Sequence, residues 1–161
     1  MVALLSPEDL ERHRIAHELI RLRLRLPIVD HLTGINIKPL RRLWNAMHPD
    51  SPPNGRLPES VRGFITNSFT AAELASFVAI YSRLAPNGEN HIDASLLLRS
   101  LDMHHRLAHR QLDINAAYFA VRDVRAKIVD LRRCRRCQTS FIYSVSAFHM
   151  RSCPFCAMLG H

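Results

Sequence analysis

The stretch RRCRRCQTSFIYSVSAFHMRSCPFC, residues 132–156, holds two Cys-x-x-Cys pairs, Cys134/Cys137 and Cys153/Cys156, with fifteen residues between them. A Cys-x-x-Cys turn sets two sulfurs on one side of a knuckle, and two knuckles close a tetrahedron of thiolates. Four protein ligands leave no open position for a substrate, so such a site serves structure rather than catalysis. The spacing predicts one zinc ion per chain, held by Cys134, Cys137, Cys153 and Cys156. The same thiolates also suit an iron–sulfur cluster. Two disulfides would need an oxidising compartment, for which the sequence carries no export signal. His149 and His161 are alternative ligands with an easier reading as surface histidines. Phe141, Ile142, Tyr143 and Val145, between the pairs, are β-favouring residues and predict a short hairpin there.

Outward from the cysteines, the charge is the next signal. Arg132, Arg133, Arg135 and Arg136 bracket the first pair, and Arg151 precedes the second. Their field favours the thiolate form and offsets the negative charge of four thiolates around a divalent ion. Residues 132–161 carry five arginines and no acid, within a net charge of +8. Residues 45–98 hold three basic and five acidic side chains, so the excess is not uniform. A polyanion is the expected partner: nucleic acid, ribosomal RNA or an acidic membrane surface.

A chain of 161 residues, 47% hydrophobic and 22% charged, fits one folded domain with a small appendage. The expected division is a helical body over 1–131 and a four-cysteine zinc module over 132–161. The longest apolar run, Ala116 to Val121, is far below the ~20 residues of a membrane span. With no basic start leading into an apolar stretch and cleavage site, a cytoplasmic address is expected.

The body is expected to be all helical, so the fold class is mainly α. Ser6, Pro7, Glu8 and Asp9 form a helix start, a hydroxyl cap followed by proline and acids. That helix is predicted over about 7–26. Leu22 to Leu26 alternate with period two, which also suits a strand, and Pro27 calls for a break after Leu26. Residues 28–47 predict two short helices around Gly34, with Val29, Leu32, Leu40, Leu43 and Trp44 inward and Ile35 buried in the turn. This is the outline of a helix-turn-helix with Lys38, Arg41 and Arg42 exposed toward DNA. Any helical hairpin with a glycine turn gives the same pattern.

Pro49, Pro52, Pro53, Pro58 and Asn54–Gly55 make residues 48–63 a loop. Thr70 and Glu73 predict a capping box for a helix ending near Leu84, stopped by Pro86, Asn87 and Gly88. Asp93 opens a helix through Leu96, Leu97, Leu101, Leu107 and Leu112. Asp113 opens a last one through Phe119, Val124, Ile128 and Leu131.

Enzyme patterns are absent. A zinc deaminase needs His-x-Glu and a proline just before its Cys-x-x-Cys, but Pro154 lies inside the motif. His17–Glu18 is not followed by a zincin's second histidine, since Arg21 stands there. His105 and His109, one turn apart, read as a polar helix face before they read as a metal site. No small-molecule substrate or membrane partner is expected.

Together the Glu18–Leu19–Ile20 helix, the loop Ser51–Pro52–Pro53–Asn54–Gly55–Arg56–Leu57–Pro58, the helical body and the terminal double Cys-x-x-Cys resemble the FlhC family of bacterial flagellar transcriptional regulators. The resemblance covers nearly the whole chain and implies a DNA-binding activator subunit. It implies assembly with the helical partner FlhD into a hetero-oligomer, a heterohexamer. It also implies DNA upstream of flagellar operons and RNA polymerase as partners, and zinc on the four cysteines. Arg132, Arg133, Arg135, Arg136 and Arg151 would contact phosphates. The chain departs from the family in having five residues after Cys156, where members continue into a polar tail, and in a slightly shorter spacer. An alternative reading is a structural zinc module for protein interaction, without direct DNA contact.

Overall fold

The computed structural model describes residues 5–50, 56, 58–85 and 91–160. Most of the proline loop, residues 51–55 and 57, lies outside the described residues, as do the helix-stopping Pro86, Asn87 and Gly88, and His161.

The first helix, α1 (Pro7–Arg21), starts where the sequence places it: Ser6 Oγ accepts the Asp9 N–H at 3.1 Å. It ends five residues short of the predicted boundary. Leu22 caps it, Arg23 turns to φ 66°, and Leu24 folds back into the core with its N–H on Leu19 O at 2.9 Å. The period-two run is therefore a turn, neither strand nor helix. Pro27 belongs to the first turn of α2 (Leu26–Thr33), where its missing N–H leaves no hydrogen bond unmade. A left-handed Gly34, φ 70°, ends α2, and α3 (Ile37–Met47) follows with Leu40 and Trp44 buried. Val29 is buried, and Leu32, Ile35 and Leu43 are half-buried, so the inward stripe of this hairpin is as read. Lys38, Arg41 and Arg42 lie on its exposed face.

Beyond the loop, a 3-10 turn at Val61–Gly63 rests on Pro58: a Cβ at Gly63 would collide with the proline ring, so only glycine fits. Helix α4 (Ser68–Leu84) is capped one turn earlier than predicted. Asn67 Oδ1 accepts the Thr70 N–H at 2.8 Å, and Thr70 Oγ1 accepts the Asn67 N–H at 3.2 Å. Thr70 is thus the third residue of the box rather than its cap. Asn is the stronger cap, because its carbonyl reaches the free N–H groups of the first turn.

Helix α4 is the centre of the molecule. It packs on α5 (Ala94–Ala108), on α6 (Ile114–Arg125), and on the cysteine segment. Asp93 caps α5 through Leu96 N–H at 2.6 Å, and His109, at φ 53°, ends it before Leu112. Asp113 caps α6, which stops at Arg125 rather than continuing to Leu131. Lys127, at φ 56°, redirects the chain, and Asp130–Arg133 forms β1, antiparallel to β2 (Ser140–Tyr143). The register pairs Asp130 with Tyr143 and Arg133 with Ser140. The hairpin therefore encloses the first cysteine knuckle; Val145, expected in it, is exposed beyond β2. Residues 124, 128 and 131 keep helical spacing, but pairing with β2 decides the conformation, a contact invisible to local periodicity.

One continuous apolar core runs from Ala16 in α1 to Met150 and Cys153 in the cysteine segment. Two buried polar groups tie distant chain together. The Asp123 carboxylate accepts the Val61 N–H and the Arg122 Nε–H, both at 2.8 Å. Asn115 accepts the Arg25 N–H at 3.2 Å and donates to Arg23 O at 3.1 Å. The fold is mainly α, with a two-stranded hairpin beside a C-terminal four-cysteine cluster. No helix among the described residues is long and apolar enough to cross a membrane.

Candidate metal centre

Each cysteine is placed by a local device. The first knuckle leaves β1 at Cys134, whose N–H pairs with Thr139 O at 2.9 Å. Gln138 closes the turn with φ 61°, its N–H on Cys134 O at 3.0 Å, while the Arg136 N–H points at Cys134 Sγ at 3.4 Å. The second knuckle is the start of the short helix α7 (Pro154–Met158). Cys153 is its cap, Pro154 its first residue, and Cys156 lies one turn on. Proline inside the motif, which argues against a deaminase, is thus a helix start.

The four Sγ atoms lie within 4.8 Å of one another. Across the knuckles, Cys134 Sγ is 3.8 Å from Cys156 Sγ, and Cys137 Sγ is 3.6 Å from Cys153 Sγ. A tetrahedral ion with bonds of about 2.3 Å holds its sulfurs about 3.8 Å apart, so the arrangement fits a single ion. All four cysteines are free, at separations far beyond the ~2.05 Å of a disulfide. A multi-iron cluster would hold its thiolates wider than one ion does. Among the described residues no other three or more His, Cys, Asp or Glu side chains converge this way, and His105 and His109 lack a third ligand.

Four sulfurs this close do not ionise independently. The Thr139 hydroxyl and N–H bring the Cys137 thiol down to about 6, and backbone N–H groups of Cys137 and Arg136 lower Cys134. Burial pushes Cys153 up and Cys156 up to about 12, the neighbouring sulfurs adding to the latter. The first knuckle favours thiolate and the second thiol. A divalent cation at the centre would deprotonate the second pair as well.

The arginines divide by what they touch. Arg132 stacks on the Tyr143 ring, 3.4 Å from its centroid, with the Asp130 carboxylate at 3.6 Å. Arg133 donates to Gln138 O and Arg151 to Val145 O, each at 3.0 Å. Arg135 and Arg136, at the knuckle tip, are exposed and their side chains have no partner among the described residues. Lys38, Arg41 and Arg42 sit on α3, which packs on α1 and α2, whereas the cysteine segment packs on α4. The two basic sets thus lie on elements that pack against different helices of the one core.

Arg62 escaped the sequence reading. Its guanidinium donates to Ser144 Oγ at 3.0 Å and Ile128 O at 2.8 Å, tying the 3-10 turn to both flanks of the hairpin. No local pattern marks a side chain whose partners are more than sixty residues away.

The family model described as Flagellar transcriptional activator (FlhC) matches residues 6–160. The flagellar transcriptional regulator FlhC of Cupriavidus necator is 26% identical over 153 residues, 92% of this chain and 75% of the relative. That of Nitrosomonas eutropha is 28% identical over 148 residues, 89% and 77% of the two chains. That of Gallionella capsiferriformans is 27% identical over 146 residues, 88% and 80%. The family match runs through the helical body and all four cysteines, and the chain belongs to the FlhC family of flagellar transcriptional regulators.

Proposed function

We propose that this regulator is the DNA-binding activator subunit of a complex with FlhD, acting upstream of flagellar operons with RNA polymerase in the cytoplasm. The observation that supports it is the cysteine knuckle. Four convergent sulfurs present Arg135 and Arg136 at an exposed tip, in a segment without an acid between Arg132 and Gly160. The cofactor is one zinc ion per chain on Cys134, Cys137, Cys153 and Cys156. Zinc neutralises thiolate charge and fixes the tip; it takes no part in chemistry, and the protein is not an enzyme. Residues 132–161 then form the zinc module on a helical body of 1–131, which carries the FlhD contact in a heterohexamer.

Arg135 and Arg136 are the leading phosphate contacts, since neither side chain has another partner among the described residues. Arg132, Arg133 and Arg151 contribute after exchanging the contacts they make within the module. Lys38, Arg41 and Arg42 would form a second basic patch. Binding of a flagellar promoter fragment, measured by fluorescence anisotropy across a salt series with and without FlhD, tests the proposal. Binding should depend on FlhD, and Arg135→Ala or Arg136→Ala should each lower the salt slope by about one. Unchanged slopes in both variants would overturn the phosphate-contact role.

One observation favours the second reading, a zinc clip without DNA contact: Met150 and Cys153 are built into the same core as α4. Under that reading promoter binding by the assembled complex would be insensitive to all five arginines.

A further inference from the structure

A groove of about 940 Å³ opens between the α1–α2 turn, α3 and the start of α6. Its apolar lining includes Leu26, Ile37 and Leu112, and its basic lining includes Arg25 and Arg41. Two further lining arginines have carboxylates nearby: Arg21 pairs with Glu18 at 2.9 Å, and Arg23 lies 4.0 Å from Asp50. Arg25 and Arg41 have no side-chain acceptor among the described residues. The one carboxylate lining the groove, Asp113, is occupied in accepting the Asn115 N–H at 2.7 Å.

Trp44 lines the groove and is only 6% exposed, and its indole N–H, itself shut off from solvent, has no hydrogen-bond partner among the described residues.

We propose that this groove docks an acidic, aliphatic peptide segment of a partner protein, with carboxylates on Arg25 and Arg41 and aliphatic side chains on Leu26, Ile37 and Leu112. A phosphodiester backbone would satisfy the arginines but leave the apolar lining without a complement. A peptide meets both, since it offers carboxylates, carbonyl oxygens and aliphatic side chains on one strand or helix. A second copy of this chain, with a net charge of +8, is electrostatically the wrong occupant. The assignment does not rest on the proposed DNA contacts.

Trp44 is the chain's one tryptophan, so its emission reports on the groove directly. The zinc-loaded full chain would be titrated with a short peptide of leucine and glutamate, with its lysine counterpart, and with a short DNA duplex. The acidic peptide should shift Trp44 emission saturably. Affinity should fall by about tenfold in Arg41→Glu and in Arg25→Gln, and stay unchanged in Arg83→Glu, an exposed site on α4 outside the groove. Far-UV circular dichroism of each variant would verify the fold. Equal weakening by Arg83→Glu and Arg41→Glu would mean attraction by overall charge, and would overturn the groove. A silent Trp44 under the acidic peptide would overturn it too. A tighter, Arg41-dependent shift with the duplex would overturn the peptide as occupant in favour of nucleic acid.

Discussion

Helix α4 and the hairpin packed on it are neighbours held by different physics. In α4, Leu74, Phe77, Val78 and Tyr81 are all at or below 2% exposure, and each such side chain contributes about 1.5–3 kcal/mol by leaving water. In the hairpin, β1 is exposed along its whole length, each strand has four residues, and the apolar contribution comes mainly from Phe141 and Ile142. An isolated two-stranded hairpin is marginal in water. The difference assigns the order of residues 130–160 to the sulfur cluster on one side and to the face of α4 on the other. The body is stabilised by area; on the proposed zinc reading, the hairpin is stabilised by ligation in addition to its contact with α4.

The largest test of that contrast is Cys137→Ser. Structural zinc contributes about 10–16 kcal/mol of apparent binding free energy in small zinc modules, so losing one ligand should release the ion and melt the hairpin. Hydrogen exchange should show protection at Phe141–Tyr143 collapsing, while α1 to α3 exchange as before. Retained protection would mean that α4 alone holds the hairpin, and the contrast would fail.

Phe77→Ala should act in the opposite region. Removing a fully buried aromatic from α4 should cost about 3–5 kcal/mol and lower the melting temperature of the whole chain without releasing metal. Zinc loss in that variant would show that body and hairpin unfold as one unit. Asp123→Ala should cost ~3 kcal/mol, seen as a lower denaturant midpoint, because it leaves the buried Val61 N–H without an acceptor and removes the ion pair with Arg122. A neutral result would mean that water replaces the carboxylate.

The smallest effect is a pH dependence confined to the α4–α5 contact. Burial holds His104 below its ordinary 6.5, against the pull of Glu73 and with the help of His105. The unfolded chain therefore takes up a proton near 6.5 that the folded chain refuses. Stability should fall as the pH drops from 6.5 toward the folded-state value, and be independent of this group above 6.5. His104→Leu should flatten the decline in a series of urea midpoints, and an unaltered decline would move its origin to another histidine.

The sequence announced elements whose signals are local. Ser6, Asp93 and Asp113 cap helices where hydroxyl or carboxylate precedes an apolar stripe, and Gly34 turns where positive φ is needed. The cysteine spacing likewise points to four convergent sulfurs, and the fold brings them within 4.8 Å of one another. Misreadings arose where two local patterns competed. The alternation at Leu22–Leu26 hid a turn made by a non-glycine residue, Arg23, in the left-handed region, stabilised by Asn115 more than ninety residues away. Thr70 obscured Asn67 because both belong to one reciprocal box. The end of α6 was hidden by Ile128 and Leu131, whose helical spacing yields to a strand partner beyond the first knuckle. Arg62, Asp123 and the Trp44 groove carry no sequence mark, because each is defined by residues brought together only in the folded chain.

On the proposed reading, one ion on four cysteines builds the basic tip of this regulator. Native mass spectrometry of the purified full chain, beside Cys137→Ser, tests it most directly. The wild-type chain should carry a mass increment of one zinc that disappears in the variant. A metal-free chain with a protected hairpin, or an increment of iron and sulfide, would contradict it.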